Sequence, residues 1–169
     1  MPTGLSRILR SSRRRPDEHY VLNILTITAN EAYESRLAKT DHLFYAMADA
    51  DHRGWNVEAA PLPPNYIVLP RKESPPISVD VDMVLCQSTH HYPLLSRAAH
   101  MIHCPLIMLA YEPQPGFDGR VDLTIYANEE ARAGATGIVI DTSLDDELFV
   151  KRWTDLFHEA DAMTLRGEW

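Results

Sequence analysis

The residues with the most chemical potential stand directly behind apolar runs. His90-His91 follows Val81-Asp82-Met83-Val84-Leu85-Cys86 after three polar residues, where an imidazole can act as a general base near neutral pH. Glu31 follows Val21-Leu22-Asn23-Ile24-Leu25-Thr26-Ile27-Thr28 in the same way. A carboxylate there can accept a proton from a substrate hydroxyl, or it can simply favour the positive end of a helix. The histidines carry the same alternative, since histidines at a helix start also serve as solvated or capping groups.

The elements that must position these residues are legible from periodicity. Val21 to Thr28 and Val81 to Cys86 are buried strands, and Tyr66 to Leu69, Pro105 to Ala110, Val121 to Tyr126 and Gly137 to Ile140 are further strands. Glu31 to Ala48 carries a helical pattern through Leu37, Leu43, Phe44 and Met47, with a break near Lys39-Thr40-Asp41 and Thr40 as cap of a second piece. A helix opens at Pro93, whose missing amide hydrogen suits a first turn. Its apolar face is Leu94, Leu95, Ala98, Met101 and Ile102. A short helix near Glu129 to Arg132 and a last one over Asp145 to Met163 follow. Strands alternating with helices give an α/β class: a single Rossmann-like three-layer sandwich with a mainly parallel sheet over residues 21 to 169, plus a basic amino-terminal arm over residues 1 to 20.

In an open parallel sheet, ligands bind beyond the carboxyl ends of the strands. That rule gathers Asn30, Glu31 and Tyr33 with Gln87, Ser88, Thr89, His90, His91 and Tyr92. It adds Tyr111, Glu112 and Gln114, then Asn128 and Glu129. Hydroxyls, amides, carboxylates and aromatic faces together suit a polyhydroxylated ligand. Glu31 and His90 are the candidate catalytic bases. Asn30, Tyr33, Gln87, Ser88, Thr89, His91 and Glu112 are the candidate ligand-binding residues.

Cys86, His90, His91, His100, His103 and Cys104 fall within nineteen positions, which raises a metal site. Helix rise separates the two histidine pairs by roughly 15 Å, and no zinc-finger spacing is present. No metal is therefore expected. No G-x-G-x-x-G, G-x-x-x-x-G-K-[ST] or G-x-S-x-G pattern occurs, so no cofactor is expected and the usual nucleotide and hydrolase loops are excluded.

The formal net charge is -8, yet residues 1 to 16 hold five arginines and no acid, leaving 11 basic and 24 acidic groups on the rest. An acidic body argues against nucleic-acid binding, which needs a basic face. The arm can dock to an anionic partner or a larger assembly, resembles a transit peptide in composition, or reflects an early start codon. No apolar run is long enough for a transmembrane helix. Two cysteines beside core strands read as reduced thiols, which gives a cytoplasmic location.

Asn23-Ile24-Leu25-Thr26, Glu31-Ala32-Tyr33, Leu37-Ala38-Lys39-Thr40-Asp41-His42-Leu43-Phe44-Tyr45, Trp55-Asn56 and Pro61-Leu62-Pro63-Pro64-Asn65-Tyr66 form an ordered series. Asp82-Met83-Val84-Leu85-Cys86-Gln87 and Pro105-Leu106-Ile107-Met108-Leu109 continue it. This series resembles the amino-terminal half of bacterial and phage glycosyltransferases of the GT-B type over about residues 21 to 130. Enzymes of that kind pair an acceptor-holding domain with a donor-holding one. The resemblance implies an acceptor-binding domain for a sugar-bearing or other polar acceptor, working with a separate donor-binding chain and inactive alone. Asn30 stands where the resemblance implies histidine, and Asp41 where it implies glycine. A non-catalytic interaction or structural module on a degenerate glycosyltransferase fold is the alternative. A flavodoxin-like regulatory domain would need an acidic cluster at the first strand end, of which Asn30-Glu31 is a thin version.

Overall fold

Continuous apolar runs suit strands covered on both faces, and they become the strands of one parallel sheet. The computed structural model describes residues 20–48, 54–70 and 79–166. Its strands are β1 (Asn23–Ile27), β2 (Leu43–Met47), β3 (Tyr66–Val68), β4 (Met83–Cys86), β5 (Leu106–Ala110), β6 (Leu123–Tyr126) and β7 (Ile138–Val139). The helices are α1 (Glu31–Leu37), α2 (Tyr92–Ile102), α3 (Glu129–Arg132) and α4 (Asp146–Arg166). All six strand pairings are parallel, in the order β3-β2-β1-β4-β5-β6-β7. The order reverses between β1 and β4, which is where Rossmann-like sheets open a crevice.

Alternation along each strand sorts side chains to two faces. Ile24, Phe44, Met83, Leu85, Ile107 and Leu109 face α1 and α4, where Phe149, Trp153 and Phe157 are fully buried. Each such aromatic side chain contributes on the order of 2 to 3 kcal/mol by leaving water. Leu25, Ile27, Val84, Cys86 and Met108 face the other way, onto Leu95 and Ala99 of α2. The result is the three-layer sandwich expected from the sequence.

One expected element changes type. The helix beginning at Glu31 ends at Leu37, a 3-10 turn covers Ala38–Thr40, and Leu43–Met47 is a strand instead of a second helical piece. Asp41 adopts a left-handed backbone at φ 61 that stops the helix. The Thr40 hydroxyl donates back to the Leu37 carbonyl at 2.8 Å and caps nothing downstream. Leu43 to Met47 then pairs in register with β1 and β3. An unbroken apolar run of five is ambiguous by periodicity, and pairing on both edges decides it.

The basic arm lies outside the described residues except for Tyr20, which stacks on His158 at 4.8 Å. Residues 71–78, between β3 and β4, also lie outside them. Both cysteines are buried and neither forms a disulfide. No helix among the described residues is long and apolar enough to cross a membrane.

Candidate functional site

The carboxyl ends of β1, β4 and β5 meet a buried polar network centred on Glu34, which the hydroxyl of Tyr66, at the first position of β3, also reaches. Glu34 lies on the sheet-facing side of α1 and is fully buried. Its Oε2 accepts from the backbone amides of Ala29 at 3.0 Å and Asn30 at 2.9 Å. Its Oε1 accepts from the Tyr66 hydroxyl and from Gln87 Nε2, the latter at 2.8 Å. Burial lifts its pKa above the ordinary carboxylate range, and the four donors offset only part of that rise.

Gln87, the first residue beyond β4, is 4% exposed and fully bonded. Its Nε2 also reaches Thr26 Oγ1 at 3.0 Å and the Ile27 carbonyl at 3.3 Å, while Thr26 donates to the Leu85 carbonyl at 2.8 Å. Its Oε1 accepts from the Tyr111 hydroxyl at 2.5 Å. Burial is the main cause raising the pKa of Tyr66 and Tyr111 well above normal, and the Glu34 charge adds to it. Both phenols therefore act as neutral hydrogen-bonding groups.

Outside this network the chain opens a cavity of about 410 Å³. One wall is Gln87, Ser88 and Thr89, and the other is the loop from Tyr111 to Asp118. The loop turns at Gly116, whose φ of 74 favours glycine. Its far end is fixed at Gly119, where a Cβ would stand 2.4 Å from the Phe117 ring and 2.6 Å from that of Tyr92. Tyr92 and Phe117 meet edge to face at 5.0 Å, and the Tyr92 hydroxyl donates to the Arg120 carbonyl at 3.0 Å.

Four of the nine sequence-derived site residues line this cavity: Gln87, Ser88, Thr89 and Glu112. The other five lie elsewhere. Asn30 caps α1, accepting from the Tyr33 amide at 3.1 Å. Tyr33 is buried; its hydroxyl donates to the Ile140 carbonyl and accepts from Trp153 Nε1 at 3.0 Å. Glu31 Oε1 accepts from the Asn56 amide at 3.0 Å and so holds the segment around Trp55. His90 is exposed beside the cavity loop, its ring 5.5 Å from that of His91, which stands at the N-cap of α2. Among the described residues no group of three or more His, Cys, Asp or Glu side chains is placed to hold a metal ion.

Glu34, Tyr66 and Thr26 escaped the sequence reading as site residues. A capping box places its acid three residues after the cap, whereas Glu34 follows Asn30 by four and still bonds the entry amides. The available signal was an acid between Tyr33 and Leu37 on the stripe that faces the sheet. A second hollow, of about 490 Å³, lies at the amino end of β5 between His100, His103, Arg120 and Asp122. The Asp122 carboxylate there accepts from the Leu106 amide at 2.7 Å. Compared with protein-family models, curated proteins and solved structures, the chain matches none.

Proposed function

We propose that the chain is an acceptor-binding domain of the glycosyltransferase GT-B kind, holding a polyhydroxylated acceptor beyond β4 and β5 and working with a separate donor-binding chain in the cytoplasm. The observation that carries this reading is the lining of the cavity. It combines hydroxyls, amides and carboxylates with the rings of Tyr111 and Phe117, and among the described residues its lining has no lysine, arginine or histidine. A sugar offers hydroxyls at its edge and C–H groups on its faces, so it matches both kinds of surface. A nucleotide-sugar donor carries phosphate charges that call for cations or helix-end amides. Such groups would come from the partner. The cavity falls within the range of about 300 to 1,000 Å³ common to small-molecule sites.

Transfer to an acceptor hydroxyl requires a base for its proton. His90 shares its loop with Ser88 and Thr89 and is the favoured residue, with Glu31 second because it already engages Asn56. The rival reading, a non-catalytic interaction module, draws on α2. Its Leu94 and Met101 lie seven positions apart on one face and are 50% and 55% exposed.

The test is thermal melting of the full chain with a panel of neutral sugars. A ligand at a hundred times its Kd stabilises by about 2.7 kcal/mol, a rise of roughly 5 to 10 °C for a chain of this size. Glu112→Ala and Thr89→Ala are expected to diminish the shift without altering the unliganded Tm by more than about 2 °C. A folded chain that no sugar shifts overturns the acceptor reading in favour of the interaction module.

A further inference from the structure

The network behind the cavity fixes more than side-chain positions, because it fixes the direction of the hydrogen bonds that Gln87 makes. The three partners of Gln87 Nε2 are all acceptors. Thr26 Oγ1 has committed its hydrogen to the Leu85 carbonyl, the Ile27 group is a carbonyl oxygen, and Glu34 Oε1 belongs to a carboxyl. A proton held by Glu34 goes to the Tyr66 hydroxyl oxygen, and the Thr26 and Ile27 oxygens still call for the Gln87 nitrogen. The amide of Gln87 is thus oriented with its nitrogen inward and its oxygen toward Tyr111. Tyr111 must donate its only hydrogen to that oxygen. Any polar atom that this pair turns to the cavity is therefore an oxygen lone pair.

We propose that the cavity selects ligands by their hydrogen-bond donors, taking an amine-bearing polyol in preference to a carboxylate- or phosphate-bearing one, with Glu34 as the positioning residue that imposes this polarity. The inference rests on the acceptor reading above and narrows its ligand class. Glu112 and Asp118, exposed on the opposite wall, extend the same preference, since ionised carboxylates only accept. An ammonium group satisfies lone pairs on both walls. A carboxylate or phosphate would set lone pairs against lone pairs with no cation among the described lining residues to compensate.

The experiment titrates the full chain by calorimetry with a hexose, its 2-amino analogue and its 6-carboxylate analogue, at about pH 6 where the amine stays protonated. The expected order is amine, then neutral, then carboxylate. Amine and carboxylate should differ by about tenfold or more, because hydrogen bonds to charged groups contribute about 1.5 to 3 kcal/mol. Tyr111→Phe keeps the ring and the net charge, so attraction of cations to the acidic chain persists while the directed acceptor is lost. Its amine-to-carboxylate ratio is expected to fall several-fold. Glu34→Gln introduces a donor behind Gln87 and is expected to lower the same ratio while the neutral hexose still binds. Equal or reversed affinities in the unaltered chain overturn the inference and leave the acceptor reading standing, provided the neutral hexose binds. An unchanged ratio in both folded variants also overturns it. Failure of all three sugars to bind removes both readings.

Discussion

Replacing Glu34 by alanine tests whether the network is cooperative or merely crowded. The substitution removes an acceptor shared by four donors. The donors differ in what they can do next. Ala29 is exposed and Asn30 half-buried, so water can reach their amides. Gln87 Nε2 keeps Thr26 and Ile27. The Tyr66 hydroxyl, on a residue only 3% exposed, loses its carboxyl partner. Leaving the hydrogen of that hydroxyl without an acceptor costs about 1 to 3 kcal/mol, and the lost amide bonds add about 1 kcal/mol each. Against this, the penalty for burying a carboxyl disappears, so the net loss is about 3 kcal/mol.

The sharper measurement is a double-mutant cycle with Tyr66→Phe. Alone, that change removes one donor to Glu34 while keeping the ring stacked on Phe44 at 5.1 Å. In the Glu34→Ala background it removes the orphaned hydroxyl itself, so it should be neutral or stabilising there. The expected coupling is about 1 to 2 kcal/mol, read from urea unfolding followed by fluorescence of the buried Trp153. Additivity of the two changes within about 0.5 kcal/mol would refute the reasoning, because it would mean that Tyr66 does not depend on Glu34 for its partner.

Two further outcomes follow from the shifted groups. The pKa of the Glu34 carboxyl is raised in the folded state, chiefly by burial, so between the unfolded and folded values the native chain keeps a proton that the unfolded chain has released. Its stabilising contribution is complete below the ordinary carboxylate value and declines as pH rises toward the folded one. The stability of the unaltered chain relative to Glu34→Gln, read from urea unfolding, should therefore fall as pH rises above the ordinary carboxylate range, and a rise would contradict the sign. Burial pushes the Cys86 thiol up to about 11. Its native reaction with a disulfide reagent near neutral pH should be slower than that of a free thiol by roughly a hundredfold or more, and urea should abolish the protection. Prompt labelling of Cys86 in the native state would count against its buried placement.

The sheet was readable because each of its members carries a local signature: β-branched and aliphatic runs of strand length, punctuated by proline and polar residues. β2 was the exception. Leu43 to Met47 is too short and too uniformly apolar to declare a period, and what makes it a strand is its pairing with β1 and β3. That information lies 20 residues before it in β1 and 22 residues after it in β3. The walls of the cavity were readable for a different reason. The strand-end rule needs only the order of elements, and it picked out Gln87, Ser88, Thr89, Tyr111, Glu112 and Gln114 without any contact being known. Phe117 and Asp118 join them only because the loop folds back through Gly116 and closes on Gly119.

Glu34 shows why a site's least visible member can govern it. On a helical wheel it is one more acid near a helix start, and its sequence neighbours Glu31 and Asn30 are better placed by every local criterion. Its role appears only once Tyr66, Gln87 and Tyr111, which lie 32, 53 and 77 positions further on, converge on one end of the sheet. A buried carboxyl with a single partner would be a liability that hydrophobic replacement could remedy. With four donors it is satisfied instead, and the directionality it confers passes through Gln87 to Tyr111 at the cavity. Under the proposed acceptor reading, substitution at Glu34 should thus alter which sugar binds more than whether one binds. A purely structural acid in the same place would change stability and leave ligand preference alone.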